Sequence, residues 1–424
     1  MGSLDLQQVE DLAGRVLRAG PICDECLGRV AAGLGRGWTN AARGEQLRER
    51  AHILGVEQSA GPCWVCSGAF AEVEAWARRA AEAAKPYAFE TYLFGVKLSP
   101  QMEAMESLYV ERFPSVHRES IKHALNRALG KSFERQVAGP ITVDFGDPHL
   151  SFVVDFASND LSLHVRSVYV YGRYRKLARG IPQTRWPCRS CRGRGCSACS
   201  FTGKQYPTSV EEIIAAPLVR ASGATTASLH GAGREDIDAR MVGQGRPFVL
   251  ELHAPMRRSF DLAVGQREVN AEAQGQVEIS PLRFVHRSAV AWVKDMPAIK
   301  TYLAVIRLDS SLEQQELDRA LAALVGEIEQ ETPLRVSHRR ADKIRLRSLH
   351  EAEGTVEEDS TTVKVRLKGD GGLYIKELVS GDGGRTRPSL SEQLGMAARV
   401  VELDVLEVLA PSLPRKMELQ QGLP

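Results

Sequence analysis

Apolar positions in the first 85 residues recur at the spacing of helices. Thr39 and Asn40 are positioned to cap a helix that runs to about Leu54. The alanine-rich segment between Cys66 and Pro86 favours a second long helix, because alanine has the highest helix propensity. The pattern therefore predicts a helical N-terminal region.

From about Phe89 the pattern changes to alternating, β-branched runs that are typical of strands. Two helices interrupt them, one near Met102–Tyr109 and one at Ser120–Phe133. The second helix has an apolar residue every fourth position, namely Ile121, Leu125, Leu129 and Phe133. Such a stripe packs against a sheet, so this region is predicted to be an α/β domain.

The second half of the chain alternates many short strands with helices. The strand pattern is of the antiparallel type, apolar on one face and polar on the other. Ser209 with Glu212, and Ser311 with Gln314, have capping-box spacing and predict two helix starts. We expect a mixed, largely antiparallel sheet flanked by helices.

All eight cysteines fall into four Cys-x-x-Cys pairs. In a reducing compartment this spacing favours tetrahedral zinc sites over disulfides. The first predicted quartet is Cys23, Cys26, Cys63 and Cys66, and the second is Cys188, Cys191, Cys196 and Cys199. A redox role is the main alternative for these pairs. For the second quartet, a knuckle without metal that touches RNA is a further alternative.

Length and composition limit the class of protein. A chain of 424 residues exceeds what one core usually organises, and 43% hydrophobic with 25% charged residues is typical of a folded globular protein. We expect an α+β protein in three parts: 1–84, 85–178 and 179–424, the last carrying a cysteine knuckle at 188–199. No apolar run is long enough to span a membrane, and the start of the chain is acidic where a secretory signal would be basic. We therefore expect a cytoplasmic protein with no membrane contact, and a monomer.

One basic stretch indicates a polyanionic partner. Residues 161–210 contain no Asp or Glu, but ten Lys and Arg. Aromatic residues are interleaved with these cations and are of the kind that stack on unpaired bases: Tyr169, Tyr171, Tyr174, Trp186, Phe201 and Tyr206. The alternative is a solvated basic face whose aromatic residues belong to the core.

Glycines and charges are concentrated in the segment 230–250. Asp236 and Asp238 lie among Arg234, Arg240 and Arg246, which could neutralise phosphates. A carboxylate among cations stays ionised, which suits a nucleophile better than a general acid. The alternative is a charged surface loop in which the aspartate is a cap.

These motifs resemble the archaeal and eukaryotic tRNA pseudouridine synthase family that carries a THUMP domain. The resemblance rests on GREDIDARMVGQGRPF at Gly233–Phe248, YGRYRKLARGIPQT at Tyr171–Thr184 and YIKELVSGDGGRTRPS at Tyr374–Ser389. CDECLGR at Cys23–Arg29, with the pair Cys63 and Cys66, matches the N-terminal zinc module of that family. The motifs span most of the chain and follow the family's order.

The resemblance implies a fold and an activity. It implies a zinc-binding helical module, a THUMP-like domain and a pseudouridine synthase catalytic domain. It also implies isomerisation of uridine 54 and/or 55 in the T-arm of tRNA, by an aspartate acting on a flipped-out base. Structural zinc is implied, with no catalytic metal, redox cofactor or nucleotide cofactor.

The resemblance also implies roles for individual residues. Asp236 matches the catalytic aspartate, and Asp238 is the rival. Arg234 matches the arginine that fills the space left by the flipped base. Tyr302 matches the tyrosine that stacks on the target base and is assigned the proton abstraction at C5. Lys376 matches the basic partner of the aspartate. The remaining predicted RNA contacts come from the basic stretch: Arg166, Arg173, Arg175, Lys176 and Arg179.

Three functional hypotheses follow from the sequence. The first is the isomerase, and the second is a non-catalytic, zinc-bearing tRNA-binding protein. The third is another THUMP-type modifying enzyme, against which the chain has no glycine-rich cofactor loop after a strand. The runs Thr332–Arg335 and His338–Arg340 are expected either to line an RNA groove or to be structural.

Overall fold

The computed structural model describes residues 3–34, 37–57, 60–339 and 341–419. The chain divides into two units, and the boundary lies between Arg166 and Ser167. Each unit has its own sheet. No helix in the described part of the chain is long and apolar enough to cross a membrane.

The first unit begins with helices, as the sequence predicts. Its helices are α1 (Ser3–Ala19), α2 (Asp24–Gly28), α3 (Asn40–Ile53), α4 (Val73–Ala84), α5 (Pro100–Arg112) and α6 (Ile121–Glu134). The Thr39 hydroxyl accepts a hydrogen bond from the amide of Ala42 at 3.1 Å and caps α3. Ser120 caps α6 in the same way, through the amide of His123. The first of these contacts confirms the cap predicted at Thr39, and the second fixes the start of the helix predicted at Ser120–Phe133.

The sheet of the first unit has four strands. They are β1 (Thr91–Lys97), β2 (Thr142–Val143), β3 (Leu150–Asp155) and β4 (Asp160–Val165), in the order β2-β1-β3-β4. The predicted apolar stripe of α6 is buried. The ring centre of Phe133, its last residue, lies 5.4 Å from the ring centre of Phe94 and 5.1 Å from that of Phe152. The α/β prediction for this region is therefore confirmed.

The second unit is built on a large sheet. Its strands are β5 (Val168–Lys176), β6 (Thr226–Gly231), β7 (Arg240–His253), β8 (Val277–Ile279), β9 (Arg283–Val285), β10 (Ile299–Leu308), β11 (Gly326–Gln330), β12 (Arg345–Val356), β13 (Thr362–Asp370), β14 (Thr386–Arg387) and β15 (Ala398–Leu409). Its helices are α7 (Val210–Ser222), α8 (Leu262–Glu272), α9 (Ser288–Asp295), α10 (Gln314–Leu324), α11 (Ile375–Ser380) and α12 (Leu390–Leu394).

The strands of this sheet follow the order β14-β11-β12-β13-β10-β15-β7-β5-β8, with β6 beside β7 and β9 beside β5. Among the described strands of this second sheet, only β15 and β7 pair in parallel, and they join the two halves of the sheet. The predicted mixed, largely antiparallel sheet is confirmed. The β6–β7 connection, residues 232–239, contains the acidic loop singled out from the sequence.

One of the two predicted helix starts is confirmed. Ser209 accepts from the amide of Glu212 and caps α7. The start predicted at Ser311 is wrong. Helix α10 begins at Gln314 because Glu313 and Glu316 form the capping box instead. A glutamate in that role is uncommon, and therefore the serine gave the stronger signal in the sequence.

Candidate active site

Four separate segments of the second unit bring charged and polar side chains to one place. The β6–β7 loop supplies Asp236 and Asp238, β10 supplies Tyr302, and the start of α11 supplies Lys376. The connection between β11 and β12 supplies Arg335. The residues that the sequence assigned to catalysis therefore lie together, although up to 140 positions separate them along the chain.

Asp236 is held by two cations. The guanidinium Nη1 of Arg335 donates to Asp236 Oδ1 at 3.0 Å, and the ammonium of Lys376 lies 3.5 Å from Oδ2. The Asp236 side chain is 31% exposed, so it can still meet a substrate. Arg335 is itself fixed by Glu377, which accepts from its Nε at 2.7 Å and from its Nη2 at 3.4 Å. Glu377 thus orients Arg335, and Arg335 orients the carboxylate.

Lys376 lies closer to the second aspartate than to the first. Its ammonium donates to both oxygens of Asp238, at 2.9 and 2.7 Å. Burial opposes ionisation of Asp238, but the hydrogen bond and charge of Lys376 outweigh it and hold the pKa of Asp238 below its usual range. In this geometry Lys376 bridges the two carboxylates, and the hydrogen bond to Asp236 comes from Arg335.

Tyr302 forms a buried wall of the same site. The residue is 7% exposed. Burial raises the pKa of its phenol to about 12, Arg246 opposes this shift, and the negative charge of Asp236 adds to it. The phenol and the Asp236 carboxylate are therefore close enough to interact. At neutral pH the hydroxyl stays protonated and is available as a hydrogen-bond donor.

A buried ion pair lies directly beneath the loop. Arg246 Nε donates to Glu235 Oε2 at 2.9 Å, and both side chains are almost fully buried. The Tyr174 hydroxyl donates to both oxygens of Glu235, at 2.9 and 2.8 Å, and Arg246 also donates to the carbonyl of Ala232 at 2.6 Å. This network anchors the part of the loop that directly precedes Asp236. Gln183 extends it by donating to the carbonyl of Gly233 at 3.0 Å.

These contacts correct two expectations. Arg246 does not face solvent where it could neutralise phosphates, because Glu235 holds it inside the protein. Tyr174 is fully buried and has no free face for stacking on a base. Arg240 pairs with Asp404 at 2.9 Å, but its side chain is 41% exposed, and therefore a phosphate contact there stays a prediction. Clusters of arginine and tyrosine in a sequence do not reveal which members have an acidic partner in the fold.

Lys176 also differs from the expectation that it contacts RNA. Its side chain is fully buried, and its ammonium donates to the carbonyls of Ile181, Asp236 and Ile237 at 2.8, 3.1 and 3.0 Å. Burial lowers the pKa of Lys176 to about 8. A group enclosed in this way cannot reach a phosphate. It acts instead on the backbone of the loop that carries Asp236.

The other predicted RNA contacts of this stretch have partners within the protein. Arg166 pairs with Asp147 in the first unit, at 3.1 Å. In the second unit, Arg173 donates to backbone carbonyls, Arg175 pairs with Glu278, and Arg179 bonds Asp404 at 2.7 Å. All four side chains are partly exposed, and therefore an RNA contact at their open faces stays a prediction.

The cysteine knuckle presents more exposed cations than β5. Its exposed arginines are Arg185, Arg189, Arg192 and Arg194, and Phe201 beside them is 78% exposed. Arg234, from the acidic loop, lies with its guanidinium 5.1 Å from the ring centre of Trp186. Trp186 in turn meets Tyr206 edge-on at 5.8 Å. The knuckle and the loop therefore share one exposed, basic and aromatic surface.

Both cysteine quartets have the geometry of a metal site. In each, the four sulfur atoms lie within 4.8 Å of one another. The Sγ–Sγ distance is 3.7 Å between Cys23 and Cys66 and 3.8 Å between Cys196 and Cys199. Four thiolates at the usual zinc–sulfur distance lie roughly 3.8 Å apart, whereas a disulfide is about 2.0 Å long. The residues therefore fit a tetrahedral ion and do not fit disulfides.

Backbone amides stabilise the second quartet further. The amides of Gly195 and Gly203 donate to the sulfurs of Cys191 and Cys199, each at 3.2 Å. Such bonds neutralise part of the negative charge that four thiolates concentrate. The left-handed φ angles of +90° and +69° at these glycines allow the tight turns that direct the amides inward.

Sequence reasoning missed the role of Arg335 and Lys300 in this site. The sequence predicts that the run containing Arg335 either lines an RNA groove or is structural, and it assigns no role to Lys300. The side chains of His338–Arg340 in the same run lie outside the described residues. A lysine two positions before a buried tyrosine on one strand is the signal that could have revealed Lys300, since both point to the same face.

Comparisons with known proteins give consistent results. The family model described as Pus10, C-terminal matches residues 169–409, and the archaeal Pus10 THUMP domain model matches residues 76–155. The tRNA pseudouridine synthase Pus10 of Methanothrix thermoacetophila is 43% identical over 93% of this chain and 93% of its own length. The protein of the same name from Halorubrum lacusprofundi is 41% identical over 97% and 98%. A Cbf5-Nop10-Gar1 complex contains a chain that is 18% identical, with a TM-score of 0.30, over 47% of this chain and 45% of its own.

Proposed function

The chain belongs to the Pus10 family, whose members named above are tRNA pseudouridine synthases, and from this premise we propose how it acts on its substrate. The protein is a tRNA pseudouridine synthase, an isomerase that converts uridine in tRNA to pseudouridine. We propose that the target is uridine 54, uridine 55 or both, in the T-arm, and that Asp236 is the nucleophile.

The convergence of Asp236, Arg335, Lys376 and Tyr302 supports this proposal most strongly. The reaction must break the bond between C1′ of the ribose and N1 of uracil. A carboxylate held ionised and aimed by two cations is suited to attack C1′ or to assist this cleavage. The base then turns, C5 bonds to C1′, and the proton from C5 is lost while N1 gains one.

The target base has to leave the stacked T-arm before it reaches Asp236. Extrusion of a base costs roughly a few kcal/mol. We propose that Tyr302 stacks on the extruded uracil and that Arg234 fills the space it leaves. Arg234 is exposed on the same loop as Asp236, and its place over Trp186 keeps the guanidinium extended towards solvent.

Asp236 rather than Asp238 is proposed as the nucleophile because of its surroundings. Asp236 is the more enclosed, with 31% of its side chain exposed against 65% for Asp238. Of the two, it is also the one that affects Tyr302 and that Arg335 contacts through a hydrogen bond. Asp238 mainly binds Lys376, and it is therefore proposed to keep that lysine in position.

The two cysteine quartets are proposed to hold structural zinc. Four thiolates leave no open position for a substrate, so the ion would fix the turns and take no part in the reaction. The first quartet ties α2 to the turn at Cys63–Cys66, and the second closes the knuckle beside Trp186. The division into 1–84, 85–178 and 179–424 also stays a proposal. The THUMP match at 76–155 supports a separate middle part, whereas β5 at 168–176 pairs with β7 in the second unit.

The test compares two isosteric variants on unmodified tRNA. Asp236→Asn is expected to abolish pseudouridine formation and to leave tRNA affinity within about twofold, since the amide cannot act as a nucleophile. Asp238→Asn is the matched comparison, two residues away in the same loop, and is expected to slow the reaction without abolishing it, because the amide holds the Lys376 ammonium less firmly. Position-resolved mapping of pseudouridine in the product identifies the target.

Clear outcomes would contradict parts of this proposal. If Asp236→Asn kept its activity and Asp238→Asn lost it, Asp238 would be the nucleophile and Asp236 would position Lys376. Pseudouridine only outside the T-arm would refute the proposed target while leaving the activity in place. Metal analysis of the purified chain with fewer than two zinc ions would refute at least one zinc site.

A further inference from the structure

Lys300 is a buried lysine in the active site that the proposed chemistry does not use. It lies on β10 two residues before Tyr302, so both side chains point from the same face of that strand. Lys300 is 7% exposed. A side chain at Gly233, three residues before Asp236, would approach its ammonium to 2.9 Å. The ammonium therefore lies against the loop that carries Asp236.

The Lys300 ammonium forms no direct ion pair with a carboxylate in the described part of the chain. Among the residues that the structure describes, the ammonium has no hydrogen bond and no ion pair. Its charged neighbours are Arg246 from β7 and Glu235 from the loop. Glu235 is already bound by Arg246 and by the Tyr174 hydroxyl, and the Tyr302 phenol on the same strand stays neutral.

A buried cation without a partner is costly unless an anion joins it. The reaction itself generates one. When the bond between C1′ and N1 breaks, its electron pair stays on the uracil and spreads from N1 to the two carbonyl oxygens. The Lys300 ammonium thus has no ion-pair partner at rest, and the leaving base carries a negative charge during the reaction.

We propose that Lys300 is a catalytic residue, which donates a hydrogen bond to a carbonyl oxygen of the extruded uracil and stabilises the negative charge formed as the glycosidic bond breaks. The inference rests on the proposed function. The bond from Asp236 to C1′ forms while that from C1′ to N1 breaks, and Lys300 keeps its proton. When C5 later bonds to C1′, the carboxylate leaves, C5 loses its proton and N1 gains one, so the reaction remains an isomerisation.

The electrostatics of the site make this role sensitive to pH. Burial lowers the pKa of Lys300 to about 7, the charge of Arg246 acts in the same direction, and Glu235 opposes both. The ammonium is the form that stabilises an anion. Therefore kcat/KM should fall as the pH rises through about 7, and a lysine that instead removed the C5 proton as a base would give a rise over the same range.

The experiment measures tritium release from tRNA labelled at C5 of uridine, under single-turnover conditions and across pH 6 to 9. Lys300→Met keeps the length of the side chain and removes the charge. Lys364→Met is the matched control, because Lys364 lies on the adjacent strand β13 and pairs with Glu357 at 3.0 Å on the surface. We expect Lys300→Met to be about 100-fold slower, as for removal of one donor from an oxyanion site. Its tRNA affinity should be unchanged, and its rate should no longer depend on pH near 7.

Several results would overturn the inference. Lys300→Met within about threefold of the wild-type rate would do so, and so would a wild-type kcat/KM that is flat or rising between pH 6 and 8. If Lys300→Met does not fold, the wild-type profile alone decides. Wild-type protein that forms no pseudouridine at any pH would refute the proposed function, which separates the two failures.

Discussion

Replacement of Glu235 by glutamine tests the buried ion pair beneath the catalytic loop. Glutamine has nearly the same shape and can still accept from Tyr174, so the main change is loss of the negative charge. Arg246 would then remain 1% exposed and without a counter-ion. Removing one partner of a buried pair costs about 3 to 5 kcal/mol. The unfolding free energy of this region should fall by that amount.

A double variant separates the pair from its surroundings. When Glu235→Leu and Arg246→Met are combined, no unpaired charge remains, and replacement of both ions by apolar groups is often close to neutral. The Tyr174 hydroxyl then lacks its acceptor, which costs about 1 to 3 kcal/mol. The unfolding free energy of the double variant should therefore be higher than that of the single variant Glu235→Gln, although the double variant replaces two residues.

Native-state hydrogen exchange of the β7 amides is the suitable assay, because a chain of two units need not unfold in one transition. A loss of 3 kcal/mol corresponds to about 100-fold faster exchange through opening. Glu353→Gln is the control, since Glu353 and Arg366 form an exposed pair at 3.1 Å worth about 0 to 1 kcal/mol. Equal effects of Glu235→Gln and Glu353→Gln would refute the reasoning.

Three further predictions concern Lys176, Lys300 and Cys199. Lys176→Met should lower kcat at least tenfold without changing the salt dependence of tRNA affinity, because Lys176 holds loop carbonyls and touches no phosphate; a reduced salt slope in a binding titration would contradict this. Lys300→Met should be more stable than wild type at pH 7. The pKa of Lys300 is about 7 in the folded protein and higher in the unfolded chain, so the wild-type protein takes up a proton when it unfolds, and methionine removes this cost of burying the charge. Urea titrations should show this gain shrinking by about 1.4 kcal/mol per pH unit as the pH rises above 7, and a constant gain would speak against it. Cys199→Ser should lower the zinc content by one ion per chain in native mass spectrometry and expose residues 188–203 to proteolysis, whereas unchanged zinc would exclude the second site.

The sequence by itself determined what depends on short spacing. The four Cys-x-x-Cys pairs, the capping residues Thr39 and Ser209 and the alternation of the strands all lie within a few positions along the chain. Backbone geometry converts such spacing directly into a turn, a helix start or a sheet face. The Gly-Arg-Glu-Asp loop identified the candidate nucleophile for the same reason, because the motif is contiguous.

Only the tertiary structure decided which charges meet. Asp236 is 99 residues from Arg335, and Glu235 is 61 from Tyr174, so no local pattern pairs them. Lys176 lies in a run of cations that is typical of a phosphate-binding surface. Because side chains alternate between the two faces of β5, however, Lys176 points into the protein core. The effect of a charge depends on its burial and its nearest opposite charge. Both are set by how distant strands pack, and therefore the sequence could name the acidic loop but not the residues that control it.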